Sequence, residues 1–204
     1  PHSALGHAAG PGHGPPKVNV MRLFVALDIP GEIRKRLADY IERVRSYAPD
    51  ARWAHVEGLH VTLKFIGEVK DPTVDEIKNA LAAVKSGAFD VTFGSIGFFP
   101  TPKSPRVFWA GVQSGDELAQ LASSIDGAME KLGIEREKRA FSPHLTLARA
   151  GARDPYSLKA LAPLLAAEEP PQFGTMTAHD FWLYRSQLGP GGSKYTKLQR
   201  YGLG

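Results

Sequence analysis

The sequence predicts an α/β fold of the α+β type, built as a bilobal, pseudo-twofold duplication around a central cleft. Two observations support this prediction. Apolar strand patterns alternate along the chain with amphipathic helix patterns. The pattern that begins at Arg22 also recurs at Arg106, an offset of 84 residues (106 − 22), with strand, helix and motif in register. We therefore expect each lobe to be a small, mostly antiparallel sheet with packed helices.

The elements of the two repeats can be placed from apolar spacing and from Pro and Gly boundaries. The first repeat predicts a strand at 22–28, a helix between Pro30 and Pro49, a strand at 59–67, a helix from Asp71-Pro72 and a strand at 89–99. The second predicts a strand from Arg106, a helix at about 116–132, a strand after Pro143, a helix from Asp154-Pro155 and a strand at 173–186. A turn at 189–192 then leads to a last strand at 195–201.

These elements place the repeat units at about 22–105 and 106–189, within a single bilobal domain over 21–204. Residues 1–20 are rich in Gly, Pro, Ala and His without an apolar period. Such a segment cannot bury enough apolar surface to offset chain entropy. We expect a disordered tail or a remnant of expression there, with Met21 as the natural start.

The composition narrows the class of protein. The chain of 204 residues has no cysteine, which excludes disulfides, thiolate metal sites and Cys nucleophiles. No apolar run approaches the roughly 20 residues that span a bilayer, and the start lacks a signal-peptide pattern. We expect a cytoplasmic monomer that does not contact a membrane. The net charge of +4 and the pI near 9.3 are compatible with a polyanionic ligand.

Two strands carry the same His-x-Thr-Leu motif, at His60-Thr62 and at His144-Thr146. Side chains at i and i+2 share one face of a strand. Each motif strand should therefore present an imidazole and a hydroxyl on one face and apolar side chains on the other. Pseudo-twofold symmetry would bring both motif faces to one cleft.

Paired imidazoles suit a reaction that needs one proton acceptor and one proton donor near neutral pH. Two threonine hydroxyls could donate hydrogen bonds to an anion between them, and a phosphodiester matches this set. The sequence lacks the motifs of zinc hydrolases, of serine hydrolases and of nucleotide-binding loops. Neither motif contains a carboxylate that would complete a zinc site. No G-x-S-x-G, G-x-G-x-x-G or Walker loop occurs.

Several stretches together resemble the 2H phosphoesterases, and more narrowly the bacterial RNA 2′,3′-cyclic phosphodiesterases, also called 2′-5′ RNA ligases. They are Met21 to Asp28, Arg52-Trp53, the two His-x-Thr-Leu motifs, Lys64-Phe-Ile-Gly, Phe141-Ser-Pro and Ala148-Arg149. The resemblance implies a bilobal fold with one motif from each lobe lining a cleft. It also implies metal-independent hydrolysis of RNA 2′,3′-cyclic phosphodiester ends to 2′-phosphates, with no cofactor. The substrate would be RNA or a nucleotide with a 2′,3′-cyclic phosphate.

The resemblance also assigns roles to residues. His144 would be the base that activates water, His60 the acid that protonates the departing 3′ oxygen, and Thr62 and Thr146 would hold phosphate oxygens. Arg149 matches an arginine that the family places near the substrate phosphate.

Strict alternation puts Arg149 on the face opposite His144, so this role requires the strand to end or twist there. Lys64 should share a face with Thr62, which makes it a second candidate for phosphate, and Phe65 should face the core. Two alternative functions stay open: 2′-5′ RNA ligation by the same site, and a nucleotide- or RNA-binding module without turnover.

Overall fold

Two antiparallel sheets, four α-helices and two 3-10 turns make up the part of the chain described by the structure, a computed structural model described over residues 19–204. The 3-10 turns are Arg45–Tyr47 and Val56–Gly58. Most of the tail predicted at residues 1–20 lies outside this range. The strands are β1 Val20–Leu27, β2 Arg52–Trp53, β3 Val61–Lys70, β4 Phe89–Thr101, β5 Ser104–Gln113, β6 His144–Arg149, β7 Gln172–Ala178, β8 Asp180–Gly189 and β9 Gly192–Gly202. The helices are α1 Gly31–Val44, α2 Asp71–Ala82, α3 Asp116–Glu130 and α4 Leu161–Leu165.

The first sheet has the strand order β3-β1-β8-β9 and the second has the order β2-β6-β5-β4-β7. Every pair of neighbouring strands is antiparallel. Each sheet contains one motif strand, β3 or β6, next to the first strand of its own repeat, β1 or β5. The predicted fold class, a mixed α/β chain with two mostly antiparallel sheets, is confirmed.

The sheets do not coincide with the repeats along the chain. Strand β4, in the first half of the sequence, pairs with β5 and β7 in the second sheet, whereas β8 pairs with β1 in the first. The helices follow the same exchange: α1 contacts β7, and α3 contacts β3. Each sheet is therefore completed by elements from the other half of the chain.

One predicted strand, at 173–186, is wrong as a single element. The structure divides it into β7 and β8, which belong to different sheets and are separated by the exposed His179. The backbone carbonyl of His179 accepts a hydrogen bond from the N–H of Leu203. An apolar strand pattern cannot report this break, because the partner of each half is set by contacts distant in sequence.

The helix predicted from Asp154 is also shorter than expected, because only α4 is helical after a series of turns at 155–160. Pro163 explains its late start. A proline is tolerated in the first turn of a helix, but further inside it removes a hydrogen bond and clashes with the preceding turn. A helix that began at 155 would place Pro163 in its interior.

A continuous apolar core joins both sheets and the helices. The inward faces predicted for the helices contribute to it, with Leu37 on α1 and Leu121 on α3 almost completely buried. Within residues 19–204 we find no helix with the length and apolar content of a bilayer-crossing segment. The same range contains no cluster of three or more His, Cys, Asp or Glu side chains arranged as metal ligands.

The pairing of β8 with β1 can be tested with two leucines on β8. Leu183 is fully buried and lies opposite Val25, whereas Leu188 is 76% exposed. Leu183→Ala should lower the free energy of unfolding by about 2–5 kcal/mol, because it leaves a cavity in the core. Leu188→Ala should change it by about 0.5 kcal/mol or less. Urea denaturation measures both, and equal effects would contradict the exchange of β8 into the first sheet.

Candidate active site

The two motif strands lie next to each other, although they belong to different sheets. Cα atoms of β3 and β6 come within 8 Å of each other. A cleft of about 1460 Å³ is lined by Thr62 from β3 and by His144 and Arg149 from β6. His60 lies two residues before Thr62 and lines a smaller cavity of about 300 Å³. Thr146 is half-buried on β6 and lines neither cavity.

Both imidazoles are held in the same way. The Nδ1 of His60 lies 2.7 Å from the carbonyl oxygen of Gly58, and the Nδ1 of His144 lies 2.8 Å from that of Ser142. These two carbonyls are themselves 84 residues apart (142 − 58). A carbonyl can only accept, so each Nδ1 must carry the proton that it donates. This leaves the Nε2 of each ring to exchange protons with a substrate.

A β-bulge follows the threonine in both motif strands. In β3, Thr62 pairs with Ala26 and Lys64 with Val25, so that Leu63 is the extra residue. In β6, the extra residue is Leu147, again at the 84-residue offset. Because a bulge adds one residue to its strand, it reverses the alternation of the side chains beyond it.

The bulge in β6 supplies the change of face that a role for Arg149 requires. Leu147 and Ala148 are both buried, and Arg149 is exposed on the side of His144. Both His144 and Arg149 line the larger cleft. The structure therefore brings this arginine to the candidate site.

The predicted placement of Lys64 is wrong, because the bulge in β3 turns its side chain away from the face of Thr62. Lys64 does not share an exposed face with Thr62: it lies in the wall of the cleft with only 5% of its surface accessible. Its Nζ is 2.6 Å from Oδ1 of Asp126 on α3 and donates to the carbonyl of Glu135 at 2.7 Å. These contacts occupy the ammonium group, so we do not propose that Lys64 binds phosphate.

The position expected for Lys64 is occupied by Phe65. The prediction that this phenylalanine faces the core is wrong, because its side chain is 48% exposed and borders the cleft. The guanidinium of Arg22 lies 5.0 Å from the centre of its ring. An exposed aromatic ring beside the motif face can support stacking.

His60 is enclosed by aromatic rings. Phe24 stacks on it at a centroid distance of 4.5 Å, and Tyr195 from β9 meets it edge-on at 5.0 Å. Burial lowers the pKa of His60 below its ordinary value of 6.5, and the nearby Arg34 guanidinium lowers it further. The Gly58 carbonyl opposes this shift by accepting the Nδ1 proton. In the free protein the neutral form of His60 is therefore favoured.

The loop before His60 depends on Arg34, a residue that the motif search missed. From α1, its Nε donates to the carbonyl of Ile29 at 3.0 Å and its Nη1 to the carbonyl of Val56 at 2.6 Å. Its Nη2 pairs with Asp28 at 2.5 Å. No pattern in the sequence relates residue 34 to residue 56, because their contact exists only in the folded chain.

Two sheets that each carry a His-x-Thr motif, with the two motif strands next to each other, define the class of the two-histidine phosphoesterases. The sequence model of the LigT like phosphoesterase family matches residues 27–109 and again residues 111–195. The chain belongs to this family. The predicted resemblance is thereby confirmed, and the two adjacent matches agree with the duplication.

Several similar proteins align with this chain over almost their whole length. The RNA 2′,3′-cyclic phosphodiesterase of Archaeoglobus fulgidus is 36% identical over 179 residues, which cover 88% of this chain and 98% of that protein. The protein of the same name from Methanothermobacter thermautotrophicus is 30% identical over 90% of this chain and 99% of its own. The crystal structure of Escherichia coli LigT complexed with 3′-AMP has a TM-score of 0.73 at 29% identity, over 91% and 99% of the two chains.

The environment of His60 predicts its titration. Because burial disfavours the imidazolium, the ring in the free protein should titrate below pH 6.5, with its neutral form present above that value. Tyr195→Ala should raise this pKa towards the ordinary value, because it opens one side of the ring to water. NMR titration of the ring protons measures both. A wild-type pKa at or above 6.5, or no change in the variant, would contradict the enclosed environment.

Proposed function

We propose that the protein hydrolyses RNA 2′,3′-cyclic phosphodiester ends to 2′-phosphates, with His60 and His144 as the acid–base pair. The observation that carries this proposal is the matched tautomer of the two rings. Each donates its Nδ1–H to the carbonyl two residues before it, which leaves two Nε2 atoms for proton transfer. The names of the relatives support the same reaction.

The reaction can be written with these two groups. Nε2 of His144 takes a proton from a water molecule, whose oxygen attacks the phosphorus of the cyclic phosphate. The bond from phosphorus to the 3′ oxygen breaks, and Nε2 of His60 gives its proton to that oxygen. The product carries a 2′-phosphate and a 3′-hydroxyl. Proton exchange with solvent then returns both histidines to their starting forms.

The lowered pKa of His60 sets a condition on this scheme, because the acid must be charged when the bond breaks. The cyclic phosphate is an anion, and a negative charge beside an imidazole favours its protonated form. Substrate binding would therefore restore the proton that burial disfavours. Thr62 and Thr146 would donate hydrogen bonds to the phosphate oxygens from the same faces as the two rings.

The dimensions of the cleft support a polymer rather than a free nucleotide as the substrate. At about 1460 Å³ the cleft exceeds the roughly 300–1,000 Å³ of ordinary small-molecule sites. Arg106 and Arg149 lie in its lining, and both could contact phosphates of an RNA end. Because one chain supplies both motif strands, we propose that the monomer is the active form.

The central test is hydrolysis of an oligonucleotide with a 2′,3′-cyclic phosphate, in buffer with excess chelator. We expect release of the 2′-phosphate product by the wild type, and rates lower by about 10²-fold or more for His60→Ala and His144→Ala. His179→Ala, which alters an exposed histidine between two strands, is the matched control and should retain full activity.

Other outcomes of this test would contradict the proposal. Activity that chelator abolishes and a divalent metal restores would exclude the metal-independent mechanism. Full activity in either motif variant would exclude that histidine. If a 5′-hydroxyl oligonucleotide is added and ligated product exceeds hydrolysed product, ligation is the favoured direction. Binding without any product would favour the RNA-binding module.

Arg149 provides a second test, with Arg153 as its matched control. Arg149→Met should lower kcat/KM about 10- to 100-fold, because it removes charge-assisted hydrogen bonds to the phosphate. Arg153 is also exposed but does not line the cleft, so Arg153→Met should leave the rate within about twofold of the wild type. Steady-state kinetics on the same oligonucleotide decides, and equal rates for the two variants would remove Arg149 from the site.

A further inference from the structure

We infer that the buried pair of Lys64 and Asp126 is a positioning device, which ties the first motif strand to the segment that carries His144. Lys64 follows Thr62 by two residues on β3, and Asp126 lies on α3. The inference rests on the proposed function, since it assigns these residues a part in the same reaction. Neither residue contacts the substrate in this account; both act through His144.

Three hydrogen bonds join this ion pair to the segment that precedes β6. The Nζ of Lys64 approaches Oδ1 of Asp126 at 2.6 Å and donates to the carbonyl of Glu135 at 2.7 Å. The backbone N–H of Glu137 donates to Oδ1 of Asp126 at 3.1 Å, and Nε of Arg136 donates to Oδ2 at 3.2 Å. The pair therefore holds three consecutive residues of the chain, two of them by their backbone.

The held residues belong to a connection, residues 134–143, that has neither helix nor strand. Ile134 and Phe141 pack against the core near its two ends. Within residues 19–204, the backbone of residues 135–143 makes hydrogen bonds to other elements through Lys64 and Asp126 and, at its far end, through the Ser142 carbonyl, which accepts from His144. The pair is thus the polar anchor of the connection that ends at His144.

The connection matters because it includes the carbonyl that orients the second histidine. Ser142 accepts the Nδ1–H of His144 at 2.8 Å. A shift of the connection would move this carbonyl and rotate the ring, and a displacement of about 1 Å at a reacting group can cost on the order of 10²-fold in rate. Because Lys64 lies on the strand of the first motif, one contact relates the two halves of the site.

Burial distinguishes this pair from the other ion pairs of the protein. The side chains of Lys64 and Asp126 are 4% and 13% exposed, whereas those of Lys35 and Asp39 are 75% and 65% exposed. Burial alone would raise the pKa of Asp126, but the hydrogen bonds from Lys64, Glu137 and Arg136 together lower it. Buried ion pairs often contribute little net stability compared with apolar side chains. We therefore assign this pair a role in positioning the connection rather than in stabilising the fold.

The test compares Lys64→Met with Lys35→Met, which makes the same change in an exposed pair on α1. We expect Lys64→Met to lower kcat on a cyclic-phosphate oligonucleotide about 10- to 100-fold, with KM changed less than about threefold. The Nδ1–H signal of His144 in the proton NMR spectrum should shift and exchange faster with water. The corresponding signal of His60 is the internal reference and should stay in place, and Lys35→Met should resemble the wild type in every measurement.

Two further variants keep the inference falsifiable if Lys64→Met folds poorly. The double variant Lys64→Met with Asp126→Met removes both charges; it should fold and still show the low kcat and the altered His144 signal. Leu161→Ala destabilises the core at α4 and should lower stability without either change.

An unchanged His144 signal with wild-type kcat in the double variant would overturn the inference, as would the same kcat loss in Leu161→Ala. The NMR measurement does not require turnover. If the wild type failed to hydrolyse the oligonucleotide, the proposed function would fail, while the effect of Lys64 on His144 would still be decided.

Discussion

The hydrogen bond from each histidine to the carbonyl two residues before it is the constraint on which the candidate site depends. It fixes the Nδ1 proton of His60 and His144, and so decides which nitrogen can act. A 3-10 turn, Val56–Gly58, supplies the carbonyl before His60, and an irregular connection supplies the carbonyl before His144. Charged side chains hold both segments. Arg34 holds the turn before His60 through the carbonyl of Val56, and Lys64 with Asp126 holds the connection before His144. Proton transfer by the two histidines therefore depends on both segments being held in place.

The symmetric scaffold supports asymmetric chemistry. Both motif strands have a bulge at the same repeat position, which turns the fifth residue after each histidine onto the motif face. That residue is Phe65 in one strand and Arg149 in the other, so one half offers an aromatic surface and the other a positive charge. Aromatic rings enclose His60, whereas His144 borders the open cleft. The enclosed environment of His60 lowers the pKa of its imidazole.

Local periodicity was enough to predict the fold class and the inward faces of α1 and α3. The repeat then indicated that the two motifs belong together. Contacts distant in sequence decided the rest: the exchange of β4 and β8 between the sheets, and the division of the strand expected at 173–186. The placement of Lys64 failed for a related reason. A bulge is created by the pairing of two strands, so the alternation within one strand does not reveal it.

Paired-histidine catalysis requires the two Nε2 atoms to reach opposite sides of one phosphorus. A crystal structure with uridine vanadate, a trigonal-bipyramidal analogue of the reacting phosphate, tests this placement of the two Nε2 atoms most directly. We expect the Nε2 of His60 and that of His144 to lie about 2.6–3.2 Å from the two apical oxygens, one ring on each side. Both rings on the same side of the vanadium, or either ring directed away from it, would contradict paired-histidine catalysis in this fold.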